Sequence, residues 1–169
     1  ISSIEGRGSG ANITSFGSVM EIPRGAYLTV VDPVLIESGL QSSWHSKAIA
    51  SGSGSSWVRT EGRRPLLIHT DEISDDDDVR GFVVATGKIV QHRLTPPELN
   101  TIDQVASSVA RKGISNITLR CNLDPEIHPT LQRRITRELK GSDGTKGFMV
   151  DMEIERPNGA QKLYVVCKE

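Results

Sequence analysis

Apolar and polar positions alternate most regularly near the end of the chain. Phe148, Val150, Met152 and Ile154 alternate with Met149, Asp151, Glu153 and Glu155, the period of two that marks a strand. Pro157-Asn158-Gly159 follows as a hairpin turn, and the return strand runs from Leu163 to Lys168. Upstream the period lengthens. Ile102, Val105, Ala106 and Val109 recur at helical spacing. Thr101 and Gln104 are placed as a capping box, and Arg111-Lys112-Gly113 as a stop. Together they predict a helix over 98–112. Ile117, Leu119 and Cys121 then alternate with Asn116, Thr118 and Arg120 as a half-buried strand. Asp124-Pro125 supplies an N-cap and first helical residue. The stripe Ile127, Leu131, Ile135 and Leu139 extends that second helix over 125–140, where Lys140-Gly141 ends it. Before these elements, Gly81 to Ala85 and Lys88 to Leu94 read as two strands, or as one strand bent at Gly87, stopped by Thr95-Pro96-Pro97.

The first half is less regular. Tyr27 to Ile36 reads as a strand interrupted by Asp32-Pro33, and Pro places it at an edge or a bend. Residues 38–56 are rich in Ser and Gly, contain Trp44, and read as a mobile loop or linker. Pro65 to Ile73 is strand-like. Asp75 to Asp78, preceded by Asp71 and Glu72, lack the alternating carboxylates and central glycine of a calcium loop, so a solvated loop is expected. The fold class predicted is α+β: a C-terminal four-stranded mixed sheet over 79–169, ordered β-α-β-α-β-β, with two helices on one face. A β-rich extension over 20–78 adds N-terminal strands, and the other face of the sheet is left for those strands or for a partner. Residues 1–19 hold Ile4-Glu5-Gly6-Arg7, a protease recognition sequence used in fusion proteins, and a Gly-Ser spacer. They read as a cloning remnant, with Met20 as a candidate start.

Composition narrows the function classes. Aromatic residues make up only 4% of the chain, so the core must be aliphatic. The formal net charge of −1 excludes a uniformly basic coat protein but not a local basic patch. No apolar run is long enough to span a membrane. Cys121 and Cys167 fall in strand-like runs and read as core thiols. The sequons at Asn12 and Asn116 fit secretion poorly, so an intracellular protein, cytoplasmic or nuclear, is expected. His45, His69, His92 and His128 share no ligand spacing, and no metal, cofactor or catalytic motif is predicted. The segment Gly141 to Gly147 has the composition of a phosphate loop, but it follows a helix instead of opening one.

The chemistry that stands out is basic. Arg133, Arg134, Arg137 and Lys140 fall on the side of the second helix opposite its apolar stripe. Between Arg111 and Lys146 there are eight basic residues and four acidic ones, about +4 in a slightly acidic protein. Such a surface grips phosphates by charge and counterion release, although an ordinary solvated helix face has the same composition. Thr101 to Lys140 resembles the Alba chromatin proteins and, similarly, the C-terminal domain of bacterial translation initiation factor three. The resemblance rests on the small-residue helix Val105 to Ala110, the corner Arg111-Lys112-Gly113, the strand Ile117 to Arg120, the arginine-rich second helix and the closing hairpin. It implies RNA or DNA binding, with contacts at His92, Arg93, Arg120, Arg156 and Lys162. The candidate nucleic-acid-binding residues are therefore Arg111, Lys112, Arg120, Arg133, Arg134, Arg137, Lys140, Arg156 and Lys162. The reading is a non-enzymatic RNA-binding protein, with a homo-oligomer expected. The alternatives are a structural or assembly protein, viral matrix-like or a scaffold, using the same face on an anionic membrane or a protein partner, and, after it, an enzyme with a dispersed active site.

Overall fold

The computed structural model describes residues 22, 23 and 25–169. The expectations for residues 1–19, Met20 and Asn12 lie outside them. The described chain is α+β. It forms β1 (Tyr27–Val31), α1 (Pro33–Glu37), α2 (Gln41–Ala48), β2 (Ser55–Arg59), β3 (Leu66–His69), α3 (Asp77–Arg80) and β4 (Val83–Arg93). Then follow α4 (Ile102–Arg111), β5 (Ile114–Arg120), α5 (His128–Glu138), β6 (Thr145–Arg156) and β7 (Gly159–Lys168). The four strands predicted undercount the sheet: among the described residues seven strands pair in the order β2-β3-β1-β4-β7-β6-β5. Two compact units divide inside β4, residues 23–86 (unit 1) and 87–169 with Ile22 (unit 2).

Unit 1 corrects the sequence reading in three places. The strand expected over Tyr27 to Ile36 ends at Val31, because Asp32-Pro33 starts a helix instead of bending a strand. Asp32 is the N-cap of α1, its carboxylate accepts the Val34 N–H at 2.9 Å, and Pro33 takes the first turn. The loop expected over 38–56 contains α2, whose Trp44 is buried and donates its indole N–H to the Val79 carbonyl at 2.9 Å. Serine-rich sequence is a poor helix former, and burial of Trp44 with Ala48 and Ile49 against Leu35, Trp57 and Leu67 overrides that propensity. In the acidic run, Asp77 to Arg80 form one helical turn, with Asp75 paired to Arg80 at 2.9 Å and Asp78 to Lys47 at 3.6 Å.

A buried polar chain crosses the same unit. His69 is 1% exposed, and its Nδ1 lies 2.6 Å from the Asp71 carbonyl, which can only accept. Nδ1 therefore carries the proton, and in the neutral ring Nε2 accepts from the Thr29 hydroxyl at 2.7 Å. Thr29 Oγ1 in turn lies 2.7 Å from Thr86 Oγ1.

Unit 2 follows the predicted order of elements, strand, helix, strand, helix, strand, strand. β5 and β6 run parallel, while β6 and β7 form an antiparallel hairpin closed by Pro157-Asn158, with Gly159 at φ 118°. Ile102, Val105, Ala106 and Val109 of α4 and Leu131, Ile135 and Leu139 beside them are buried in one cluster with Ile117, Leu119, Met149 and Val166 of the sheet. Both helices thus pack on one face. On the other face Phe148, Val150, Met152, Leu163, Val165 and Cys167 are buried as well. The predicted helix starts are corrected. Thr101 makes no capping bond to α4; its hydroxyl turns back to the Glu98 backbone instead. Asp124 closes a separate turn, α5 begins at His128 with Pro129 in its first turn, and Ile127 is left 37% exposed, outside the apolar stripe. β4 is one strand across Gly87, with its irregularity between Ile89 and Gln91.

Candidate nucleic-acid interface

The position of the basic side chains follows from how unit 2 is wound. α4 ends at Arg111, and Gly113, at φ 83°, reverses the chain into the start of β5. α5 begins beside the far end of β5, where His128 Nε2 lies 2.8 Å from the Leu119 carbonyl. It ends near the start of β6, since the Thr145 N–H donates to the Gly113 carbonyl at 2.9 Å. The two helices are therefore parallel, with both C-termini at one end of the sheet. Strand register brings more chain to that end. Lys88 of β4 pairs with Lys168 of β7, Lys168 pairs with Gly147 of β6, and the Glu169 N–H donates to the Lys146 carbonyl at 2.9 Å.

Seven basic residues converge there: Lys88, Arg111, Lys112, Arg137, Lys140, Lys146 and Lys168. All are exposed except Lys168, which is half-buried. Glu138, Asp143 and Glu169 oppose them, so seven positive charges meet three negative ones. Some of the positive charge is structural. The C-terminus of each helix carries roughly half a negative charge, and Arg111 and Arg137 in the last turns compensate it. Two such ends remove about one unit in all, and Lys88, Lys146 and Lys168 are on strands. Lys168 reaches across the turn after α4: a Cβ added at Gly113 would lie 2.7 Å from its ammonium nitrogen.

The other sequence candidates go elsewhere. Arg156 sits at the tip of the β6–β7 hairpin, ten residues along β6 from Lys146, or about 33 Å at the rise of an extended strand. Lys162 pairs with Glu153, seven residues along β6 from Lys146, or about 23 Å. Lys162 is paired with the buried carboxylate of Asp151 at 3.6 Å. Asp151 itself accepts the Asn122 N–H at 2.9 Å as β5 leaves the sheet. Arg120 ends β5, half-buried, with its Nε atom buried and without a hydrogen-bond partner. Arg134 is a strut between the helices, 3.0 Å from Asp103 of α4, and not a free cation on the outer face. Arg133 is exposed and aligned with Arg137 and Lys140 at i, i+4 and i+7 along α5. Of the pair at the end of β4, His92 is exposed, while Arg93 bonds the Thr95 carbonyl at 3.1 Å, and burial lowers its pKa.

Sequence reading missed Lys88 and Lys168 as site residues and counted Lys146 only as charge. No local signal marks them, because they meet through the register of three strands. Among the described residues no group of three or more His, Cys, Asp or Glu side chains is placed to hold a metal ion, and no helix is long and apolar enough to cross a membrane. Cys121 and Cys167 are buried, and burial pushes the Cys167 thiol far up. No family model, curated protein or solved structure matches the chain.

Proposed function

We propose that unit 2 binds the phosphate backbone of nucleic acid, RNA in the first instance, without catalysing a reaction on it. The observation that carries this reading is the convergence of Lys88, Arg111, Lys112, Arg137, Lys140, Lys146 and Lys168 at one end of the unit. Phosphate contacts of this kind position a strand without reading its sequence, and a flexible lysine is suited to them as a point charge. Arg133 extends the surface along α5. The resemblance to the Alba proteins and to the C-terminal domain of initiation factor three, families that bind RNA or DNA, points the same way. The interface proposed here differs from the one that resemblance implies, because it leaves out His92, Arg93, Arg120, Arg156 and Lys162.

The test is a binding titration with fluorescently labelled single-stranded RNA of mixed sequence at several salt concentrations, alongside flotation with anionic vesicles. Binding that weakens steeply with salt and differs little between sequences supports the reading. Partition onto vesicles with no RNA binding at low salt replaces it with the membrane-directed assembly role.

A further inference from the structure

Unit 1 contains a concave site unrelated to the basic end of unit 2. A cleft of about 260 Å³ is walled by Gln41, Ser42 and His45 of α2 and by Ser55 and Ser56 of β2, over Trp57. His45 Nε2 lies 2.7 Å from Ser55 Oγ, within reach for direct proton transfer. The imidazole also lies beside the Trp57 ring, centroid to centroid 6.4 Å and tilted by 42°. Burial lowers the pKa of His45, so the ring is neutral at pH 7 and able to accept a proton. Both Ser55 and His45 are half-buried, so a small molecule in the cleft can touch them. Gln41 and Ser42 open α2, whose N-cap position, Leu40, offers no side-chain bond to the first amides.

We propose that Ser55 is a nucleophile activated by His45, and that the cleft accepts small uncharged carboxylic esters. The volume lies below the usual range for ligand sites, roughly 300–1,000 Å³, which limits the acyl group to a few carbons. None of the lining side chains carries a formal charge when His45 is neutral, which disfavours ionic substrates. With the ring proton on Nδ1, Nε2 takes the hydroxyl proton as Ser55 Oγ bonds to the carbonyl carbon. Collapse breaks the ester C–O bond, and the alcohol leaves with that proton. Water, deprotonated by the same nitrogen, then releases the carboxylic acid and restores Ser55. No carboxylate lines the cleft, so this is a serine–histidine pair without a third member. This inference stands apart from the nucleic-acid reading, and either can fail alone.

The experiment treats the full chain with an alkyl fluorophosphonate and, separately, with p-nitrophenyl acetate, and maps the modified peptide by mass spectrometry. Modification is expected on Ser55, absent in Ser55→Ala and retained in Ser56→Ala. In His45→Gln with unchanged circular dichroism, labelling should slow at least ~100-fold, the lower end of general-base contributions. Modification only at other residues, no modification at all, or equal rates in folded His45→Gln overturns the proposal. If His45→Gln does not fold, Ser55→Cys replaces it. Its alkylation by iodoacetamide at pH 7 should exceed that of Ser56→Cys by about ten-fold, because the adjacent imidazole favours the thiolate. Equal rates overturn the proposal equally.

Discussion

Gln132 stands where a neighbouring strand would stand beside Leu119. Its side-chain carbonyl accepts the Leu119 N–H at 2.7 Å, and its amide nitrogen donates to the Ile117 carbonyl at 2.8 Å. His128, one turn earlier, donates Nε2–H to the Leu119 carbonyl at 2.8 Å. β5 is the last strand of the sheet order, and an unpaired edge is a template for association with another chain. α5 thus both covers the core and closes the edge. For Gln132→Ala we expect a loss of about 1–3 kcal/mol, from a buried donor and acceptor left unpaired. We also expect concentration-dependent self-association in sedimentation. Unchanged urea stability and unchanged sedimentation would show that water replaces the glutamine without cost.

Gly113 turns α4 into β5 at φ 83°, and Lys168 lies over it. Alanine there has to adopt a left-handed backbone and displace the ammonium. Gly113→Ala should therefore destabilise the protein by about 1–2 kcal/mol in a denaturant titration. Adding Lys168→Gln should recover little, because the backbone term remains. Full recovery would place the cost in the side-chain contact alone.

Acid should weaken unit 1. Burial is the main cause lowering the His69 pKa, a nearby His45 charge adds to it, and the bond to the Asp71 carbonyl and the Asp71 charge oppose it. The unfolded chain gains a proton near the ordinary value of about 6.5, whereas the native ring does so only at lower pH. Stability is therefore complete above about pH 6.5 and is lost as pH falls towards the native pKa, by up to ~1.4 kcal/mol per pH unit in that window. The melting temperature should drop between pH 7 and pH 5, and His69→Gln should flatten that dependence. An equally steep profile in His69→Gln would assign the loss to other groups, His45 first, since burial lowers its pKa too.

The sequence was most legible where one period ran undisturbed. The alternation in Phe148 to Glu155, the Pro157-Asn158-Gly159 turn and the spacing of Val105, Ala106 and Val109 all describe elements that pack on their own pattern. It failed where tertiary contacts overrode local preference. Trp44 makes a helix of a serine-rich stretch, and Thr101 spends its hydroxyl on Glu98 instead of on a cap. Asp32-Pro33 carries the signature of a helix start, an N-cap acid followed by Pro, as well as that of a strand bend. At the candidate interface the helix arginines could be found from a wheel, yet Arg134 is tied to Asp103 of the neighbouring helix. Lys88 and Lys168 are 80 positions apart, so only strand pairing could join them.

Under the proposed function, the converged end of unit 2, and not the hairpin tip, carries nucleic-acid binding. The measurement is fluorescence anisotropy of a labelled single-stranded RNA between about 50 and 200 mM salt, a range over which several phosphate contacts change affinity strongly. The variants are Lys88/Lys146/Lys168→Gln, Arg156/Lys162→Gln and Arg134→Gln, each checked for folding by circular dichroism. The triple substitution should reduce the slope of log affinity against log salt by about 2, at roughly 0.7 per contact on a single strand. The Arg156/Lys162 and Arg134 variants should keep the slope of the unmodified chain. An unchanged slope in the triple variant, or a slope lost with Arg156 and Lys162 instead, would contradict the claim.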